Sequence, residues 1–122
     1  MKSHRLYPSW IAGLNHEGRG HYCAKHLSIG TRLELRREPD NSHDPGAVAL
    51  IHRGRKVGYV PQRHRWVSRA LDYEAELEAT VEHIEVVGWI WKRARHVGLQ
   101  IAILSEEKHE IMANIIVEAE RS

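Results

Sequence analysis

The sequence has a single cysteine, no internal repeat, and no apolar run near the roughly 20 residues that a membrane-spanning helix requires. Each absence removes a class of protein. Cys23 alone cannot close an intramolecular disulfide, so no disulfide framework holds the fold, and one cysteine among 122 residues fits a reducing compartment. Residues Met1 to Arg5 contain no apolar core of a secretion signal. A soluble, cytoplasmic protein with no membrane partner is expected.

Catalytic and metal motifs are scarce as well. Ten histidines would suit a metal, but His16, His21 and His26 recur every five residues, a spacing that aligns on neither a helix face nor a strand face, and there is no CxxC or HExxH. No metal and no cofactor are expected. A Gly-rich phosphate loop, a Ser-His-Asp order and a reactive-cysteine setting are all missing, so the chain reads as a non-enzyme. One catalytic reading is left, a metal-dependent phosphoesterase built on Glu38, Asp40, His43 and Asp44. Turn chemistry explains the same residues with fewer assumptions.

What is present describes one domain over residues 1–122. With 42% apolar and 28% charged residues the chain is too apolar for a disordered tail, and at this length about two-thirds of the unfolded surface can be buried. The net charge of +2 divides unevenly: residues 1–69 carry 13 Lys/Arg against 5 Asp/Glu, and residues 70–122 carry 5 against 11. A basic first part suits an anionic partner if its charges gather on one face, and mixing in three dimensions would remove that signal.

Patterning predicts mainly strands with short helices. Trp10 to Leu14 reads as a first strand and His21 to Leu27 as a turn or two of helix closed by Gly30. Thr31 to Arg36 alternates with period two and turns Leu33 and Leu35 inward. The segment Glu38 to Gly46, with two prolines and three Asx residues, is a tight loop in which Glu38, Pro39, Asp40 and Asn41 are structural. Ala47 to Ile51 and Lys56 to Val60 form a hairpin ended by Pro61, and Arg63 to Asp72 carries a helical apolar stripe. Leu77 to Val87 and Val97 to Leu104 are strands, and a helix is expected over about 106–120 with Ile111, Met112, Ile115 and Ile116 on its apolar face. These elements fit a small α+β barrel better than a βαβ layout.

Three segments in order, Arg37 to Asn41, Asp44 to Ala47 and Val57 to Pro61, closely resemble the HIRAN domain, and the likeness extends over about residues 9–104. The resemblance implies an OB-like β-barrel that binds single-stranded DNA, in at least one relative by capturing a free 3′ end. It places Asp44 where a 3′-hydroxyl is accepted, Asn15 and His16 where that relative has an Arg-aromatic pair, His43 at the loop aromatic, Tyr59 at a ring-bearing position and Gln62 at a lysine. Partners implied are single-stranded DNA or DNA ends, with a helicase or other repair protein beside them.

The residues support that chemistry on their own terms. Single strands are held by a basic track along the phosphates and by rings that stack on bases, each stack contributing about 1–3 kcal/mol. The stretch from His52 to Trp66 contains Arg53, Arg55, Lys56, Arg63 and Arg65, interleaved with Tyr59 and Trp66, and no acid. The plain structural reading of the same stretch is a core Trp66 with solvated arginines. Asp44 suits either a terminal hydroxyl or an Asx turn. His16 and His43 are stacking candidates or surface residues. In Trp89 to Trp91 one tryptophan is expected in the core with the other on the same strand face, and Trp89 is a second candidate platform. The acidic stretch Leu71 to Glu85 and the C-terminal helix leave a different reading open, a protein-docking module without DNA affinity. Oligomeric state is not specified.

Overall fold

The computed structural model describes residues 6–104 and 114–120. Within them lie strands β1 (Leu6–Trp10), β2 (Arg32–Arg37), β3 (Val48–His52), β4 (Arg55–Tyr59), β5 (Leu77–Val87) and β6 (Arg93–Ile103), with helices α1 (Arg19–His26) and α2 (Trp66–Asp72) and a 3-10 turn at Gln62–His64. Residues 114–120 form a further helix, α3. All pairings are antiparallel, in the order β1-β6-β5-β2-β3-β4. This leaves β1 and β4 as edges, and the chain joins them just beyond β1: Ala12 N donates to Tyr59 O at 2.8 Å, and Tyr59 N returns to Ala12 O at 2.9 Å. That pair curls the sheet into a small OB-like barrel and satisfies edge amides that would otherwise invite another strand.

The alternation read from sequence survives in β2, where Leu33 is buried and Leu35 packs against the core, and in β5, where Ala79 and Val81 are buried. Leu50, Val57, Val67, Val97, Leu99, Ile101 and Ile103 fill the interior with almost no exposure. Helix α2 covers the barrel with the expected stripe of Trp66, Val67 and Ala70, and Trp66 lies 5.1 Å from the Tyr7 ring. Trp66 is thus a core residue. Helix α3 adds Ile116 and Val117 to the core, while Ile115 is exposed. The Tyr7 hydroxyl donates to Asn114 Oδ1 at 2.7 Å, and Glu120 Oε1 accepts from Trp66 N at 3.0 Å. Glu120 so places a carboxylate at the start of α2, where unpaired amides favour negative charge. The rest of the expected C-terminal helix, including Ile111 and Met112, lies outside the described residues.

Three sequence expectations are corrected. The first strand is Leu6–Trp10, earlier than Trp10 to Leu14, because Tyr7 and Ser9 face inward and Ser9 Oγ bonds His64 Nδ1 at 2.8 Å. Pro8 interrupts the apolar pattern but fits an edge strand that needs no second ladder. Strand β6 starts at Arg93, with Ala94 inward between exposed Arg93 and Arg95. Trp89, Ile90 and Trp91 are all outside the core, at 88%, 79% and 82% exposure, because the chain turns there instead of continuing as strand.

Cys23 is fully buried, and that burial pushes its thiol up to about 11 despite Arg55 nearby, which makes it a packing residue. No helix among the described residues is long and apolar enough to cross a membrane.

Candidate nucleic-acid interface

The barrel-closing pair lies beside a cleft of about 360 Å³, lined by Ala12 and Gly13 next to the pair and by His16, Arg19, His43, Asp44, Tyr59 and Gln62. Four separate segments supply these side chains: the β1–α1 loop, the first residue of α1, the β2–β3 loop, and the end of β4 with the turn after it. Five of the residues singled out in the sequence, His16, His43, Asp44, Tyr59 and Gln62, therefore meet although the first and last are 46 positions apart. Arg19 is the member that the sequence did not reveal. It reads as a charged residue between two glycines at the start of a helix, and no local pattern marks it as buried.

The β2–β3 loop is built by Asn41. Its Oδ1 accepts from His43 N at 2.9 Å and Asp44 N at 3.0 Å, an Asx arrangement, while its Nδ2 donates to Glu38 Oε1 at 3.0 Å. Asp44 Oδ1 accepts from Gly46 N at 2.9 Å and lies 3.7 Å from Arg65 Nη1. Its other oxygen takes no hydrogen bond among the described residues, which leaves a largely buried acceptor at the cleft. Pro39 and Asp40 are exposed, and Asp40 makes no side-chain bond among the described residues.

Glu38 ties this loop to β4. It pairs with Lys56 Nζ at 2.5 Å and accepts from the Tyr59 hydroxyl at 2.9 Å, and Lys56 Nζ also reaches that hydroxyl at 2.8 Å. Burial alone would raise the Glu38 carboxyl, but hydrogen bonds from Lys56, Asn41 and Tyr59 outweigh it and hold the group below the ordinary glutamate value. The same bonds, from Glu38 first and Tyr59 second, raise Lys56 above the usual lysine value. In the structure Lys56 is engaged by Glu38 and the Tyr59 hydroxyl, and it helps to position the Tyr59 ring. The Tyr59 ring is left with Arg19 Cζ 5.5 Å from its centre and Lys56 Nζ at 4.9 Å.

Because its folded pKa is depressed, Glu38 stabilises the fold above the ordinary glutamate value of about 4.3, and this contribution disappears as pH falls through the folded value. Glu38→Gln is expected to cost about 1–2 kcal/mol at pH 7, near the low end for charged hydrogen bonds because both partners keep some water. Urea unfolding at pH 7 and at pH values below the ordinary glutamate value checks this: the gap between the variant and the parent should narrow steadily as pH falls.

The remaining predicted residues do not enter the cleft. Arg55 lies over the Tyr22 ring at 4.4 Å, and Arg53 occupies the β3–β4 turn. Arg63 is exposed beside Gln62. Asn15 lines a neighbouring depression of about 380 Å³ with His21, Arg93 and Arg95, and Trp89 sits at the β5–β6 turn. The basic stretch from His52 to Trp66 therefore divides among several surfaces.

Residues 9–104 match the sequence model of the HIRAN domain. The chain belongs to the HIRAN domain family. The fold of this HIRAN domain is similar to the crystal structure of the HIRAN domain of human HLTF, with a TM-score of 0.65 at 15% identity, covering 94% of this chain and 88% of that one. It is also similar to a Lactobacillus plantarum protein, with a TM-score of 0.64 at 15% identity over 83% of this chain and 97% of that one. The NMR structure of the HLTF HIRAN domain in its DNA-bound conformation has a TM-score of 0.57 at 14% identity, with 95% and 88% covered. No curated protein sequence matches the chain. In this HIRAN domain the two motif segments are bonded to each other, since Glu38 of the loop motif holds the Tyr59 hydroxyl of the Gly-Tyr-Val-Pro motif.

Proposed function

We propose that this domain binds single-stranded DNA and receives a free 3′ end in the cleft between His16, His43 and Tyr59, serving DNA repair or replication-fork processing beside a helicase or other repair protein. The observation that carries the reading is the meeting of an unengaged Asp44 oxygen, three rings and the Arg19 cation in one cleft. Membership of the HIRAN family and the DNA-bound conformation of the HLTF domain support it. Asp44 accepts the terminal 3′-hydroxyl, Tyr59 and the imidazoles of His16 and His43 stack on the last bases, and Gln62 and Arg63 flank the exit. The strand then follows the depression at Asn15, Arg93 and Arg95 toward Trp89. Arg53 and Arg55 contribute only long-range attraction.

Fluorescence anisotropy tests this with a single strand ending in a 3′-hydroxyl, the same strand ending in a 3′-phosphate, a blunt duplex and a matched RNA, each at two salt concentrations. The 3′-hydroxyl strand should bind tightest, with affinity falling as salt rises. Equal binding of both single strands would remove the end-reading role. Absence of binding to all four would favour the protein-docking reading, for which the exposed Trp89, Ile90 and Trp91 turn is the surface.

A further inference from the structure

Arg19 is an unusual place for a cation. It is the first residue of α1, a helix whose cap Gly18 offers no side-chain bond and whose first turn has no acid, so guanidinium and helix dipole add positive charge at one corner. Its side chain is only 10% exposed, and a buried charge is costly unless it is well paired. The pairing is poor. Nη1 donates to Gly13 O at 3.3 Å, Nη2 to Glu17 Oε2 at 3.2 Å, and Nε is buried with no partner among the described residues. Both bonds are long beside the 2.7–2.9 Å typical of charge-assisted pairs.

The stereochemistry of the fork gives these facts a direction. Nε–H and one Nη2–H point from the same edge of the guanidinium, the edge that takes carboxylate or phosphate through two parallel bonds. Glu17 engages Nη2, one of the two nitrogens of that edge, from an 80% exposed side chain, on a backbone held at φ +53°, which a non-glycine residue seldom adopts. Resting on the reading of the cleft as a DNA site, we propose that Arg19 is its phosphate anchor and that Glu17 occupies the anchor in the free protein until a phosphate displaces it. A phosphate takes Nε and Nη2 together, and Glu17 moves into water. The anchor lies beside Tyr59, so the phosphate it holds joins nucleotides stacked in the cleft.

The experiment is a double-substitution cycle on a fluorescein-labelled dT12 with a free 3′-hydroxyl, using Glu17→Gln, Arg19→Gln, Arg19→Lys and the double variant Glu17→Gln/Arg19→Gln. Glu17→Gln should tighten binding by about 3- to 10-fold, and Arg19→Gln should weaken it by about 10-fold and lower the salt slope by about one. Arg19→Lys, which keeps charge and loses the fork, should weaken binding nearly as much. In the Arg19→Gln background Glu17→Gln should change affinity less than about twofold. The same tightening in both backgrounds would overturn the proposal, since Glu17 would then act only as diffuse negative charge.

A second measurement needs neither DNA nor a change at Arg19. In the 15N-labelled protein, inorganic phosphate should shift the Arg19 Nε–H resonance saturably, and at lower concentration in Glu17→Gln. No saturable shift in either protein would overturn the anchor. A phosphate response with no DNA binding would keep the anchor and remove the DNA reading.

Discussion

Gly58→Ala will lower the melting temperature by about 10 °C or more and weaken any cleft ligand with it. A Cβ at this position would lie 2.3 Å from Ile11 Cγ2 and 2.6 Å from Ala12 O. The Ile11 side chain can turn away, but the Ala12 carbonyl cannot, because it accepts the Tyr59 amide that closes the barrel. Relief therefore means opening the closure, at about 3 kcal/mol, the upper part of the range for overpacking. For a domain of this size that corresponds to a shift of about 10 °C. Circular dichroism melts check the stability, and anisotropy below the melting point checks the site. A shift under about 3 °C would show that the edges do not meet as closely as described.

Asp44→Asn will remove end discrimination while leaving the loop in place. The amide oxygen can still accept the Gly46 N–H that Oδ1 now holds at 2.9 Å, so the Asx turn survives. What disappears is the negative acceptor for a hydroxyl, and a hydrogen bond to a charged group contributes about 1.5–3 kcal/mol, or roughly 10- to 150-fold in affinity. The 3′-hydroxyl strand should lose about that factor, whereas the 3′-phosphate strand should hold or improve because a like charge has been removed. Equal loss on both strands would take Asp44 out of the end-reading role. Asp44→Ala separates the loop contribution, since it removes the turn bond as well.

Local pattern made much of this fold legible. Leu33 and Leu35 alternate with charged residues, Trp66, Val67 and Ala70 share a helical stripe, and Asn41 with Asp44 carries the turn chemistry of the β2–β3 loop. Strand β1 is not legible in the local pattern because Ser9 is polar in sequence and becomes an inward residue only through His64, 55 positions away. Trp89 and Trp91 depart from their pattern for the opposite reason. Large aromatic residues usually lie inside, but these two sit on the turn between β5 and β6, where the chain leaves the strand pattern and their rings project into water.

The cleft divides along the same line. His16, His43, Asp44, Tyr59 and Gln62 stand out through residue type and motif, since each chemistry requires its own side chain. Lys56 and Arg19 do not, because their roles depend on neighbours distant in sequence. Lys56 is drawn to Glu38 and the Tyr59 hydroxyl, and Arg19 is buried beside Gly13 and Tyr59 by the barrel closure. Periodicity and turn chemistry are properties of neighbouring residues, so the sequence by itself determined the small β-rich domain, its organised loop and the residue types able to hold a nucleic acid. Burial, ion-pair choice and exposure depend on which strands meet. Only the tertiary structure decided that the Ala12–Tyr59 pair closes the sheet, that one arginine lies nearly buried at the cleft, and that two tryptophans face water.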